Sequence, residues 1–457
     1  MGAGKQFSRE PVDVPQIMTD NREIKTKLPV PESLEVLADL EKHEPVSMQG
    51  QPPIVWSKAE GFNVYDPWGN KWIDWSCGVL ITSAGHGRSE IRDAVKAVID
   101  KPLLATYCFP NPERSRLVAK LTEVAPDNID RAFILTTGSE GCECAIKLAR
   151  TRGLNISPDK KVFITFEGDF HGRTLASQLA GGLPGLKNWC SDMGETFVQV
   201  PWPGSFRLKD KSFSMFEKTL EEKGIKAEDV CGVMCETYQG GEASFAPVEY
   251  MQDLAAWCKK NNALLIYDEV QAGFGRTGKF WGFEHYGTHV DLICCGKGIS
   301  SSLPIAAVLG STEVMNQYAP GSMTSTHAAA PLGCAAAFAN IEVILNEQLA
   351  DKAAARGEIL INGLNRLKDK YPDNIGAVNG KGMVAAICMV KPGTEESDAD
   401  SAHSIVEKCF QKGLLMFAPV GPGGGSVKIS PPLIMPEDVI SESLGILEEA
   451  MAETLDA

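Results

Sequence analysis

Five short apolar runs constrain this chain more than any other feature. They are AFILTT (Ala132–Thr137), KVFITF (Lys161–Phe166), VCGVMCE (Val230–Glu236), ALLIYDE (Ala263–Glu269) and DLICCG (Asp291–Gly296). None alternates apolar and polar residues along its whole length, as a strand with one wet face would. Each reads instead as a strand buried on both faces. Helical periodicity falls between them and ahead of them, at Glu90–Ile99, Pro112–Val124, Glu140–Arg150 and Met251–Lys260. Strands covered on both sides and interleaved with helices predict an α/β fold with a mostly parallel sheet. After about Asn340 the pattern changes to a long helical stretch, isolated strands and a GPGGG loop at Gly421–Gly425. That predicts a smaller α+β domain. The expected division is an N-terminal segment over 1–75 that joins the smaller domain, a large domain over 76–340, and a C-terminal small domain over 341–457. Within the first segment, Pro31–Lys42 predicts a helix. Gly61–Trp75 predicts a hairpin that turns at DPWGN.

Composition excludes several classes of function. The 457 residues are 44% hydrophobic, enough for a large core in two or three domains. A net charge of −15 disfavours nucleic acid and anionic membrane as partners. The stretch MGAGKQFSREPVDVPQ has no apolar centre, so no secretory leader is expected, and its sixth residue is not the Ser or Thr of a myristoylation site. No apolar run approaches the roughly 18 residues of a membrane span. The 13 cysteines are odd in number and show no CxxC, which fits reduced thiols in a cytoplasmic protein better than a disulfide framework.

Ligands of open α/β sheets sit beyond the carboxyl ends of the strands. The residues just past each apolar run therefore sample the site. After AFILTT come Gly138, Ser139 and Glu140, opening a helix. A glycine, a hydroxyl and free amides at a helix start suit an anion, although the serine also suits an ordinary cap. After KVFITF comes EGDFHGRT, where Phe170 beside His171 could cover a flat ring. Asp268 ends ALLIY, and an acid there needs a cationic partner such as Arg, a metal or a protonated ring nitrogen. A metal would want more ligands than Glu269 and Glu236 add, so none is expected. After LICC comes Lys297 between Gly296 and Gly298. A lysine in an apolar pocket loses proton affinity and can serve as nucleophile or base. The two glycines are expected to let the backbone fold tightly there, so that the amine reaches a bound carbonyl and forms a Schiff base. Phosphate cradle, stacking aromatic, buried acid and buried lysine together fit one cofactor, pyridoxal 5'-phosphate.

The segment LLIYDEVQAGFGRTGKFWGFEH followed by VDLICCGKGI, with 28 residues between Asp268 and Lys297, resembles the class III pyridoxal-phosphate aminotransferases. TTGSEGCECAIKLAR, GDFHGRT, ETYQGG, STHAAAPLGCAAA and VKISPPLIM occur in that family's order, and the likeness covers roughly residues 40–450. It implies a fold-type I enzyme, a transferase acting on an ω-amino acid or related amine and a 2-oxo acid. It also implies that Lys297 is the Schiff-base lysine, Asp268 the partner of the ring nitrogen, and Gln271 a neighbour of the ring hydroxyl. Gly138 and Ser139 match the phosphate turn, Phe170 the stacking aromatic with His171 beside it, and Glu236 a supporting glutamate. Thr326, in TSTH, matches the threonine that reaches the neighbouring subunit's cofactor, which implies a homodimer. A racemase or epimerase of the same family would need the same residues.

Two positions depart from the family. Lys428 stands where many relatives have an arginine that grips a substrate carboxylate, and an ammonium lacks the planar fork of a guanidinium. Gly241 stands where many have a glutamate, with Glu242 one residue later. These departures shift the expected oxo acid from 2-oxoglutarate toward pyruvate or a product-specific oxo acid. Val79, Leu80, Trp75, Tyr107 and Phe109 are candidates for lining the substrate pocket.

Overall fold

The protein is described by a computed structural model covering residues 5–456. The first residues of the stretch read for a leader or a lipid, 1–4, lie outside the described residues. The chain separates into two compact units. One comprises 1–88, 241–243 and 351–457, and the other 89–240 and 244–350. These limits run some ten residues beyond 75 and 340, because helix Pro331–Asn346 continues through position 340.

The larger unit is built on a seven-stranded sheet. Its order is Arg131–Leu135, Ala306–Gly310, Leu292–Cys295, Leu264–Asp268, Val230–Glu236, Val162–Phe166 and Phe197–Val200. Strand Ala306–Gly310 runs antiparallel to both neighbours, and the remaining pairs are parallel. All seven residues of Val230–Glu236 and all five of Leu264–Asp268 are buried, as their unbroken apolar character requires. Helix Gly138–Ile156 buries Cys142, Ala145, Ile146, Leu148 and Ala149 in the cluster that also holds Phe163, Met234, Ile266 and Leu292. Its residue Gly153 passes close enough to strand residue Cys231 that a Cβ would lie 2.6 Å from the cysteine Cβ.

The smaller unit contains a sheet in the order Ile17–Met18, Glu23–Ile24, Lys71–Asp74, Asn63–Tyr65, Lys58–Glu60, with Leu414–Leu415 parallel to Lys71–Asp74. The expected hairpin is there, closed by Asp66 accepting from the amides of Trp68 and Asn70. A second, antiparallel sheet joins Ile375–Lys381, Val384–Met389 and Ser426–Ile429. Trp72 ties the first sheet to helix Ala399–Gln411, donating its indole N–H to the Phe410 carbonyl at 2.9 Å and stacking on the Phe410 ring. No helix among the described residues is long and apolar enough to cross a membrane.

Candidate active site

At the carboxyl ends of the larger unit's strands lies a cavity of about 480 Å³. Its walls include Gly138, Ser139, Phe170, His171, Glu236, Asp268, Gln271 and Lys297. Eight of the nine residues expected to bind the cofactor thus meet in one place. The ninth, Thr326, is exposed in the same unit and does not line this cavity.

The anion end is set by helix Gly138–Ile156. Its cap is Thr137 rather than a serine: Thr137 Oγ1 accepts from the Glu140 amide, and the Glu140 carboxylate accepts from the amides of Thr136 and Thr137. This reciprocal box is readable in the chain as Thr137-x-x-Glu140. Ser139 is thereby free for other bonds, and its hydroxyl pairs with those of Thr174 and Ser177 at 2.8 and 2.9 Å. The amides of Gly138 and Ser139 are first-turn amides that helical geometry leaves without an intrahelical partner. No Cβ fits at Gly138, where it would stand 2.8 Å from the Val270 side chain. Gly172 sits at φ +129°, and a side chain there would collide with Ser139 Oγ. Close backbone, hydroxyls and a helix N-terminus form a cradle for a phosphate.

Lys297 succeeds strand Leu292–Cys295 and is itself the left-handed residue, with φ +40°. The flanking glycines were expected to supply that freedom. Gly296 is instead extended at φ −172°, and the strain rests on the lysine. Burial pulls the Lys297 amine below the ordinary lysine range, while the charges of Asp268 and Glu236 pull it partly back.

Asp268 ends the central strand Leu264–Asp268. Its Oδ1 accepts from the Val270 amide at 3.0 Å. Its Oδ2 accepts from His171 Nδ1 at 2.8 Å and from Cys142 Sγ at 3.4 Å. Glu236 Oε2 accepts from the Phe170 amide at 2.9 Å, and Oε1 from the Gly240 amide at 3.1 Å. Burial, then the nearby Asp169 charge, pushes the Glu236 carboxyl up to about 8. Phe170 is fixed through this backbone bond and carries the Arg173 guanidinium over its ring at 5.5 Å.

Cys142, His171 and Asp268 also have donor atoms within 4.8 Å of one another, a grouping of the kind that holds a metal ion. Direct bonds already join these atoms, so the group reads as a proton-sharing cluster. Sequence reading gave neither Cys142 nor Asp169 a role in the site. A thiol inside an apolar helix face, and an acid two residues before a histidine, announce nothing until the fold brings them to Asp268.

The donor set suits pyridoxal phosphate: an anion cradle, an acid for a ring nitrogen and an amine for an aldehyde line one cavity. Of the substrate candidates, Trp75, Val79, Leu80 and Lys428 belong to the smaller unit and Tyr107 and Phe109 to the larger. Val79 lies in a turn where Cys77, Gly78, Val79 and Leu80 all have φ between +53° and +63°. Lys428 is buried on strand Ser426–Ile429, opposite Ala386. The glutamate of many relatives has no room at position 241, where a Cβ would stand 2.8 Å from Gly421 Cα.

Residues 46–451 match the family Aminotransferase class-III. The chain is 30% identical over 446 residues to 4-aminobutyrate aminotransferase of Mycobacterium leprae, covering 95% of this chain and 98% of that one. It is 33% identical over 413 residues to a 5-aminovalerate aminotransferase of Pseudomonas putida, covering 88% and 94%. Among solved structures, a Bacillus anthracis aminotransferase superposes with a TM-score of 0.84 at 27% identity, covering 92% of this chain and 99% of that one. The ornithine aminotransferase of Toxoplasma gondii superposes with a TM-score of 0.83 at 25% identity, covering 94% and 97%. The chain therefore belongs to the class-III aminotransferases and is a pyridoxal-phosphate-dependent aminotransferase.

Proposed function

We propose that Lys297 and Asp268 carry the chemistry of this transfer. The observation that carries the reading is their joint place on one cavity with the N-terminus of helix Gly138–Ile156. Pyridoxal phosphate, when bound, supplies an aldehyde that takes up the amino group and a ring that accepts the electrons released at the donor carbon. Lys297 would hold the cofactor by its aldehyde, and its amine, when free, would move a proton at the donor carbon. Asp268 keeps the ring nitrogen protonated. Gly138 and Ser139 would receive the phosphate, Phe170 and His171 would flank the ring, Gln271 would lie near its hydroxyl, and Glu236 would support it from beneath.

The donor in this reading is a primary amine at the end of a short carbon chain. The names of the relatives support it, since 4-aminobutyrate, 5-aminovalerate and ornithine share such an end. For the acceptor we favour pyruvate over 2-oxoglutarate. Lys428 offers a point charge in place of a fork, and Gly241 offers no carboxylate. The unit formed by 89–240 and 244–350 serves as the cofactor-binding domain. The enzyme works in the cytoplasm as a homodimer, in which exposed Thr326 serves the neighbouring subunit's phosphate. The odd number of cysteines supports a reducing compartment.

A panel of terminal amines offered with pyruvate or 2-oxoglutarate tests the reading. One amino acid should form for each oxo acid consumed, with pyruvate the better acceptor. Inversion of an amino acid without demand for an oxo acid would instead establish the racemase reading, which the named relatives do not favour.

A further inference from the structure

We propose that Asp169 is a positioning residue for Asp268, acting through His171, whose Nε2 proton it holds so that the imidazole donates from both nitrogens. Asp169, His171 and Asp268 are all buried. His171 Nδ1 lies 2.8 Å from Asp268 Oδ2, and Nε2 lies 3.3 Å from Asp169 Oδ2, close but too bent for a full hydrogen bond.

The two neutral tautomers both fail here. With hydrogen on Nδ1 alone, the Nε2 lone pair faces the Asp169 carboxylate. With hydrogen on Nε2 alone, the Nδ1 lone pair faces Asp268 at hydrogen-bond distance. In a dry interior either arrangement sets a lone pair against an anion. A proton on each nitrogen removes both conflicts. Asp169 is built to hold one of them. Its Oδ2 also accepts from the Phe166 amide at 3.2 Å and its Oδ1 from Gln239 Nε2 at 3.3 Å, so the carboxylate cannot swing away without losing both bonds.

The other ionisable groups around the ring are Cys142 and Glu236. Cys142 remains a thiol, pushed well up by its bond to Cys294 and by burial. Burial opposes charge on His171, yet the carboxylates of Asp169 and Asp268 outweigh it and raise its proton affinity well above the ordinary histidine range. Burial pushes the Asp169 carboxyl up, and the contact and charge of His171 and the Gln239 bond pull it back; with the proton on the imidazole, the row alternates in charge, Asp169 negative, His171 positive and Asp268 negative. Asp268 is then gripped by a charge-assisted donor in addition to the Cys142 thiol and the Val270 amide. The catalytic meaning of this rests on Asp268 serving the ring nitrogen, as proposed for the transfer. The protonation of His171 does not.

Selective 15N-histidine labelling of the full chain, with and without cofactor, tests it. The chain has seven histidines, and His171→Asn assigns the signal. Both His171 nitrogens should stay protonated from about pH 6 to about pH 9, well past the ordinary histidine range. In Asp169→Asn one nitrogen should lose its proton within that range. Cofactor retention in the same variant should weaken by about tenfold, the scale of one charge-assisted hydrogen bond. A bare His171 nitrogen at neutral pH in the unaltered protein overturns the proposal, and needs no variant to fold. An Asp169→Asn spectrum identical to the parent also overturns it. If Asp268→Asn turns over normally while the His171 signals behave as stated, it is the role of Asp268 that fails, not the protonation.

Discussion

Asp268 and Glu236 are register partners at the carboxyl ends of adjacent parallel strands, so two buried carboxyl groups line one cavity. Two such groups cannot both be charged without partners. Asp268 has His171 and Cys142 as donors. Glu236 has only amides and the distant Gln271 Nε2 at 3.5 Å, and its carboxyl is pushed up to about 8 by burial and by Asp169.

A pH effect arises from that difference. Between the ordinary carboxyl range and about 8, folded Glu236 keeps a proton that the unfolded chain has released. Its contribution to stability is therefore greatest below that window and falls as pH rises through it. Thermal unfolding of the cofactor-free protein should show a declining midpoint from about pH 5 to about pH 8. Glu236→Gln should flatten the decline.

Lys297→Ala should abolish transfer and covalent retention of the cofactor. Borohydride treatment of the unaltered enzyme should fix the cofactor to one peptide, the one containing Lys297, as seen by mass spectrometry. Label on any other lysine would remove Lys297 from its role.

Asp268→Asn keeps the shape and removes the charge. Cofactor should still bind, while turnover falls by orders of magnitude, as a loss of several kcal/mol of transition-state stabilisation requires. Single-turnover measurement of the first half-reaction separates this loss from weaker binding.

Gly172→Ala places a Cβ at φ +129° and against Ser139 Oγ. The strain should cost about 1–3 kcal/mol of stability. Because Ser139 must move, affinity for the cofactor should fall more than the fluorescence-monitored melting point does.

Lys428→Met should raise the KM for the oxo acid and leave the uptake of a simple primary amine nearly unchanged. Equal effects on both half-reactions, or none on either, would separate Lys428 from the substrate carboxylate.

Much of this protein was legible in the chain itself. Unbroken apolar runs named five of the seven strands in the larger sheet, because burial on both faces leaves a one-dimensional mark. The two strands it did not name are Phe197–Val200, four residues at the sheet's edge, and Ala306–Gly310, which carries two alanines and a glycine and inserts antiparallel. Their identity comes from pairing, which no local pattern encodes. The motifs around Lys297, Asp268 and Gly138 marked the cavity in advance, since ligand-binding loops lie just past strand ends. Tertiary structure alone decided the rest. It put the left-handed backbone on Lys297 rather than on a glycine. It also brought Asp169, His171 and Cys142, scattered over helix and loop, onto the hydrogen-bond network of Asp268. Hydrogen bonds and charge act through space at about 3 Å, and sequence distance does not measure that.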